Sequence, residues 1–137
     1  MNRRFVAGLV IAALVALALT GCSASKPEDV VKAYIALVEK GDYKTAWDMY
    51  SPELQKARPL ALFVESRDQA KAQLGPTKTF TIDQIEINGA TARVETTSTW
   101  EKDQTPYKTV FVLTKESYGW KLAAVENGAT LKGPVTP

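Results

Sequence analysis

The chemical inventory of this chain is narrow. Of its 137 residues none is histidine, and one, Cys22, is cysteine. Histidine is the commonest general base near neutral pH and the commonest metal ligand. Histidine-dependent zinc sites and Ser-His-Asp triads are therefore excluded by inventory. Carboxylates, lysine, tyrosine, serine and threonine remain. Asp48, Tyr50 and Glu53 lie close enough in sequence to suggest acid–base work. Asp48 equally fits a solvated helix face, and Glu53 a helix N-terminus, where negative charge is favoured; that plainer reading is preferred. No catalytic residue, metal ligand or cofactor is assigned.

Binding chemistry has more candidates. One parity of the segment 90–100 runs from apolar (Ala92, Val94) to hydroxylic (Thr96, Ser98) and ends at Trp100. Hydroxyls beside an indole suit the mouth of a partly polar cavity. The competing reading is that the strand outruns its covering helices and that Thr96 and Ser98 meet water; the sequence favours this one. Tyr34, Trp47, Tyr50, Phe63, Phe111 and Trp120 are read first as core. With Thr96, Ser98 and Trp100 they are also the best candidate pocket walls. Tyr107 follows a polar loop and fits a rim or a strand end. Lys56, Arg58, Arg67, Lys71 and Lys78 make the middle of the chain locally basic and suited to anionic headgroups, although acidic residues interleave.

Helices come first among the elements that must position these residues. Ser25-Lys26-Pro27-Glu28 reads as a capping box, and Val30, Val31, Tyr34, Ile35, Leu37 and Val38 follow at helical spacing. Gly41 is a helix stop, and Asp42 caps a second helix carrying Ala46 and Trp47. Ser51-Pro52 is a cap followed by proline at the first helical position. Residues 59–74 form a further helix, ended by Gly75-Pro76. The period then becomes 2. Phe80 and Ile82 share one parity and Ile85 and Ile87 the other, which predicts a bulge near Asp83-Gln84. Asn88-Gly89 predicts a hairpin. Strands follow at 90–100, 107–113 and 120–125, and 127–137 reads as a flexible tail. Helices followed by strands predict an α+β domain over residues 26–126, its helices packed on a curved antiparallel sheet of about four strands.

The amino end carries a different signal. Arg3 and Arg4 precede an almost wholly aliphatic run from Phe5 to Leu19. The run is too short for an ordinary membrane-spanning helix of about 20 residues and fits the export signal of a secreted protein, residues 1–21. Leu19-Thr20-Gly21-Cys22 resembles the bacterial lipobox. The resemblance implies cleavage between Gly21 and Cys22 and lipidation of Cys22, with residues 22–25 as a short tether. Losing the signal removes Arg3 and Arg4, so 15 basic residues face 15 acidic ones and the net charge falls from +2 to zero. The basic balance of the precursor is thus partly an export feature, and nucleic acid is not an expected partner.

The stretch from Pro27 to Leu54, with Gly41-Asp42-Tyr43, Ala46-Trp47 and Ser51-Pro52-Glu53-Leu54, resembles small bacterial lipoproteins of the NTF2-like (cystatin-like) superfamily. It is similar to the DUF4878-type lipoproteins and to the amino-terminal domains of penicillin-binding proteins. The resemblance implies a cone-shaped pocket between helices and concave sheet. Superfamily enzymes such as ketosteroid isomerase and scytalone dehydratase work in that pocket with Asp, Tyr or His; other members bind ligands or dimerise. The expectation is a lipid-anchored envelope protein acting as a non-enzymatic binding or interaction module. Its expected partners are the membrane, through Cys22, and an envelope protein or small apolar ligand. Its expected location is the outer membrane facing the periplasm, or the outer face of the membrane in a single-membrane cell. An NTF2-like enzyme using a carboxylate and Tyr, or a homodimeric structural accessory, are the alternatives.

Overall fold

Four helices precede four strands in the computed structural model, which describes residues 25–130. The helices are α1 (Pro27–Lys40), α2 (Tyr43–Asp48), α3 (Pro52–Ala57) and α4 (Leu60–Leu74); the strands are β1 (Thr77–Asn88), β2 (Thr91–Trp100), β3 (Tyr107–Glu116) and β4 (Gly119–Thr130). The expected signal and the Gly21–Cys22 cleavage and lipidation position lie outside the described residues, as does the tail past Thr130.

Local chemistry sets the helix boundaries. Lys26, not Ser25, holds the N-cap position of α1, without a side-chain cap bond. The predicted capping box does not form. Pro27 presets the first helical φ and brings no orphan N–H, and the Lys26 carbonyl accepts from the N–H groups of Asp29 and Val30. At the other end Gly41 takes φ 82°. Its N–H donates to the Val38 carbonyl and that of Asp42 to the Leu37 carbonyl, each at 3.0 Å, a Schellman closure. The Asp42 carboxylate then caps α2 by accepting from the Thr45 N–H, and Ser51 Oγ caps α3 by accepting from the Leu54 N–H. The Ser51 N–H donates to the Leu122 carbonyl at 2.7 Å, and the Leu122 N–H to that of Met49 at 2.9 Å. This parallel bridge pins the α2–α3 corner to β4.

The sheet is an antiparallel meander in the order β1-β2-β3-β4. Register slips between Ile82 and Gln84, where the change of parity predicts it. The slip leaves Asp83 out of the ladder, its carboxylate accepting from the hydroxyls of Thr81 and Thr97. The bulge keeps one face apolar across the break: Phe80 and Ile82 lie opposite Ser98 and Thr96, and Ile85 and Ile87 opposite Val94 and Ala92. The two-residue hairpin loop is Gly89-Ala90, one residue beyond the predicted Asn88-Gly89, because Asn88 pairs with Thr91. Strand β4 continues to Thr130, pairing Thr109 with Asn127 and Tyr107 with Thr130. The strand thus takes in the first residues of the expected tail, from Asn127 to Thr130. Backbone groups complete the ladder for β3 there, and that pairing needs no apolar side-chain period.

The concave face has two halves. Val30, Val31, Ala46, Tyr50, Leu54, Ala92, Val94, Leu113 and Leu122 are buried in one core cluster. Along β2 and β3 the packed pole lies toward Ala92 and Leu113, and the other pole toward Trp100 and Tyr107. Helix α1 links them. Its last turn reaches the second pole, where the Glu39 carboxylate accepts from the Thr77 N–H at 3.3 Å and from the Thr77 hydroxyl. Its middle packs on the sheet through Tyr34 against Phe111. Helix α4 buries only Phe63.

Candidate functional site

Between α1, α4 and the second pole of the sheet lies a cavity of about 630 Å³. Helix α1 contributes Tyr34, Ile35, Val38 and Glu39, and α4 contributes Arg67, Ala70, Lys71 and Leu74. The sheet contributes Thr96, Ser98 and Trp100 from β2, Tyr107, Thr109 and Phe111 from β3, and Val125 and Asn127 from β4. Tyr43, Arg58 and the Gly75-Pro76 corner complete the wall. The volume falls within the usual range of small-molecule sites, about 300–1,000 Å³.

An aromatic cluster forms the inner end. The Tyr34 ring lies 5.9 Å from those of Tyr50 and Phe111, centroid to centroid, and Tyr50 lies 5.4 Å from Phe63. The hydroxyls of Tyr34 and Tyr50 share a buried hydrogen bond of 3.1 Å. Burial pushes the Tyr34 phenol far above its ordinary range, and Tyr50 adds to the rise; the nearby guanidinium groups of Arg67 and Arg58 oppose it. A phenol so raised stays protonated at neutral pH and offers a hydrogen bond, not a base. The outer end is built from Trp100 and Tyr107, edge to face at 5.2 Å. The Tyr107 hydroxyl donates to the Asp103 carboxylate at 2.9 Å, and that bond raises its pKa.

Of the residues singled out in the sequence, Tyr34, Thr96, Ser98, Trp100 and Phe111 line this cavity. Thr96 is 1% exposed and Ser98 9%, so the preferred expectation that they meet water is corrected. Thr96 Oγ1 donates to the Thr109 carbonyl at 3.1 Å, which satisfies its hydroxyl inside the fold. The uncovered part of the sheet face lies instead on β1 near the packed pole, where Ile85 is 42% and Ile87 57% exposed. Tyr50 and Phe63 stand behind Tyr34 in the aromatic cluster and do not line the cavity. Trp47 is elsewhere, its Nε1 donating to the Arg58 carbonyl at 2.7 Å. Trp120 sits opposite Lys115 in the β3–β4 ladder, at the packed pole. Asp48 is ion-paired with Lys44 on an exposed helix face, and Glu53 is exposed in the first turn of α3. The fold does not gather Asp48 and Glu53 around the buried Tyr50 hydroxyl.

Sequence reasoning missed Ile35, Val38 and Glu39 as cavity residues. Their signal is helical: they flank Tyr34 on α1 at one, four and five residues' distance, the neighbourhood of one helix face. Arg58, Arg67 and Lys71, expected as part of a basic stretch suited to anionic headgroups, border the cavity.

No family model matches this chain, and no curated protein matches its sequence. Solved structures do match its shape. A provisionally named NTF2-like transpeptidase from Campylobacter jejuni superposes with a TM-score of 0.58 at 18% identity, over 73% of this chain and 99% of that one. An NTF2-like protein of unknown function from Silicibacter pomeroyi gives 0.53 at 11% identity, over 72% and 87%. The fold is NTF2-like. A SEC-C motif containing protein from Rhodopseudomonas palustris gives 0.63 at 12% identity, over 73% and 77%. Identities this low carry the NTF2-like architecture and no chemistry, so function has to be argued from the cavity itself.

Proposed function

We propose that this chain is a cell-envelope lipoprotein, anchored through acyl chains on Cys22, whose NTF2-like domain is a non-enzymatic module that holds a small, largely apolar ligand. The observation that carries the binding role is the cavity of about 630 Å³, walled by aliphatic and aromatic side chains with a few hydroxyls and charged groups among them. Such a lining is the usual composition of a ligand site. The anchor rests on the sequence: Arg3-Arg4, the apolar run and Leu19-Thr20-Gly21-Cys22. Two or more acyl chains, at about 0.8 kcal/mol per buried methylene, make a stable attachment. The location follows from the anchor: the outer membrane facing the periplasm, or the outer face of the single membrane. This combination resembles the DUF4878-type lipoproteins.

A structural accessory that pairs through its sheet is the second reading. The exposed Ile85 and Ile87 on the edge strand β1 favour it.

Native mass spectrometry of the full chain, produced in a cell envelope and released from detergent, tests both parts. A non-covalent adduct that disappears on denaturation is expected, together with a covalent lipid mass that Cys22→Ala abolishes along with membrane retention. A dimer without adduct would favour the second reading. An empty monomer with an unmodified Cys22 would sink the proposal.

A further inference from the structure

We infer that the cavity selects a single-chain amphiphile with an anionic head group, held by the guanidinium groups of Arg58 and Arg67 on the cavity wall. The inference rests on the binding function proposed above and adds the class of ligand.

Charge around the cavity is one-sided. Four cationic side chains, those of Arg58, Arg67, Lys71 and Lys108, border it against a single carboxylate, Glu39. Glu39 is already engaged with Thr77 at the rim. The rest of the chain balances its charges, with 13 basic and 14 acidic residues. None of the four cations forms an ion pair among the described residues, where Lys44–Asp48 and Arg93–Glu126 are the pairs present. A local excess of unpaired cations at a concave, partly apolar surface concentrates anions.

Arg67 is the most telling of the four. Its guanidinium carbon lies 5.9 Å from the Phe63 ring centroid, a cation–π contact, and no carboxylate among the described residues pairs with it. Its Nε is buried and meets no acceptor from the protein. Arginine presents five donors in a rigid fork that matches a carboxylate or phosphate. Here that capacity is not consumed by the fold, and a buried donor left unpaired is costly. The Phe63 ring that Arg67 covers packs on Tyr34 and Tyr50, which puts this positive charge at the aromatic end of the cavity, and Arg58 borders the same cavity. Ile35, Val38 and Leu74 supply apolar wall beyond it. Arginine at the aromatic end with hydrocarbon-lined space beside it is the complement of a fatty-acid-like molecule.

Isothermal titration calorimetry on the full chain in maltoside detergent, with detergent blanks, tests this with dodecanoate, dodecan-1-ol and dodecylamine, which share one chain length. The expected result is dodecanoate binding at least about tenfold more tightly than the alcohol and the amine. In the Arg58→Gln/Arg67→Gln double variant that preference is expected to vanish while the alcohol still binds; Lys32→Gln, on the exposed side of α1, leaves it intact. Arg67→Lys, which keeps the charge and loses the fork, should retain part of the preference and guards against a folding defect in the double variant. Alcohol binding as tightly as acid, or a preference that survives loss of both arginines, overturns the inference and leaves the binding function standing. No binding of any of the three overturns both.

Discussion

The buried pair of tyrosine hydroxyls is the residue on which the site and the stability of the domain meet. One hydroxyl donates to the other within the aromatic cluster. Replacing one leaves a buried polar group alone, which costs more than the bond itself contributes. Tyr34→Phe and Tyr50→Phe are each expected to destabilise by about 1–2 kcal/mol, and the double variant by clearly less than their sum. Urea denaturation measures all three, and strict additivity would refute the pairing. The same group sets a pH dependence. The folded-state pKa of Tyr34 is raised, chiefly by burial, so above about pH 10 the unfolded chain loses a proton that the folded chain keeps. Stability present below that pH is therefore lost as pH rises, by up to about 1.4 kcal/mol per pH unit from this phenol. Denaturation at pH 9 and pH 11 should show a smaller alkaline loss for Tyr34→Phe than for the unsubstituted chain.

Elements whose boundaries are written in local chemistry were readable from the sequence, and those set by their neighbours were not. Gly41-Asp42, Ser51-Pro52 and the parity change at Asp83 are conformational demands of single residues, and each acts where it stands in the chain. Gly41 takes φ 82°, and a Cβ there would meet nothing within 4 Å. Gly41→Ala should therefore cost about 1–2 kcal/mol from backbone strain alone, visible as a lowered thermal midpoint; an unchanged midpoint would contradict the left-handed corner. Thr96 and Ser98 are another matter. Whether a strand end is covered depends on how far α1 and α4 reach across it, and no residue of β2 records that. Ile85 and Ile87 carry the converse lesson, since their apolar character predicts cover that an edge strand does not receive. Arg58 and Arg67 look like ordinary surface charges until α4 is laid beside the sheet.

The whole molecule divides its interior between a filled pole and a hollow one, and its local stability should divide in the same way. Regions with dense apolar burial open only with global unfolding, and those around a cavity open at lower cost. Hydrogen exchange is expected to be slowest for amides at Ala92–Val94 and Phe111–Leu113 and faster at Trp100 and Tyr107, at the far ends of the same strands. Uniform protection along β2 and β3 would rule out this gradient. Helix α1 spans the division, and its direction has a bearing on supply. Its last turn grips Thr77 at the cavity rim, and its first residue, Pro27, lies about 18 Å farther back along the axis. If Cys22 carries the proposed lipid, its leash would join the domain at the Pro27 end of α1, like a hand under the base of a cup whose brim is at the far end of that helix. Its cargo would then come from the water beyond or from a facing surface, and the sheet of lipid underneath would be the wall it hangs on and not the store it draws from.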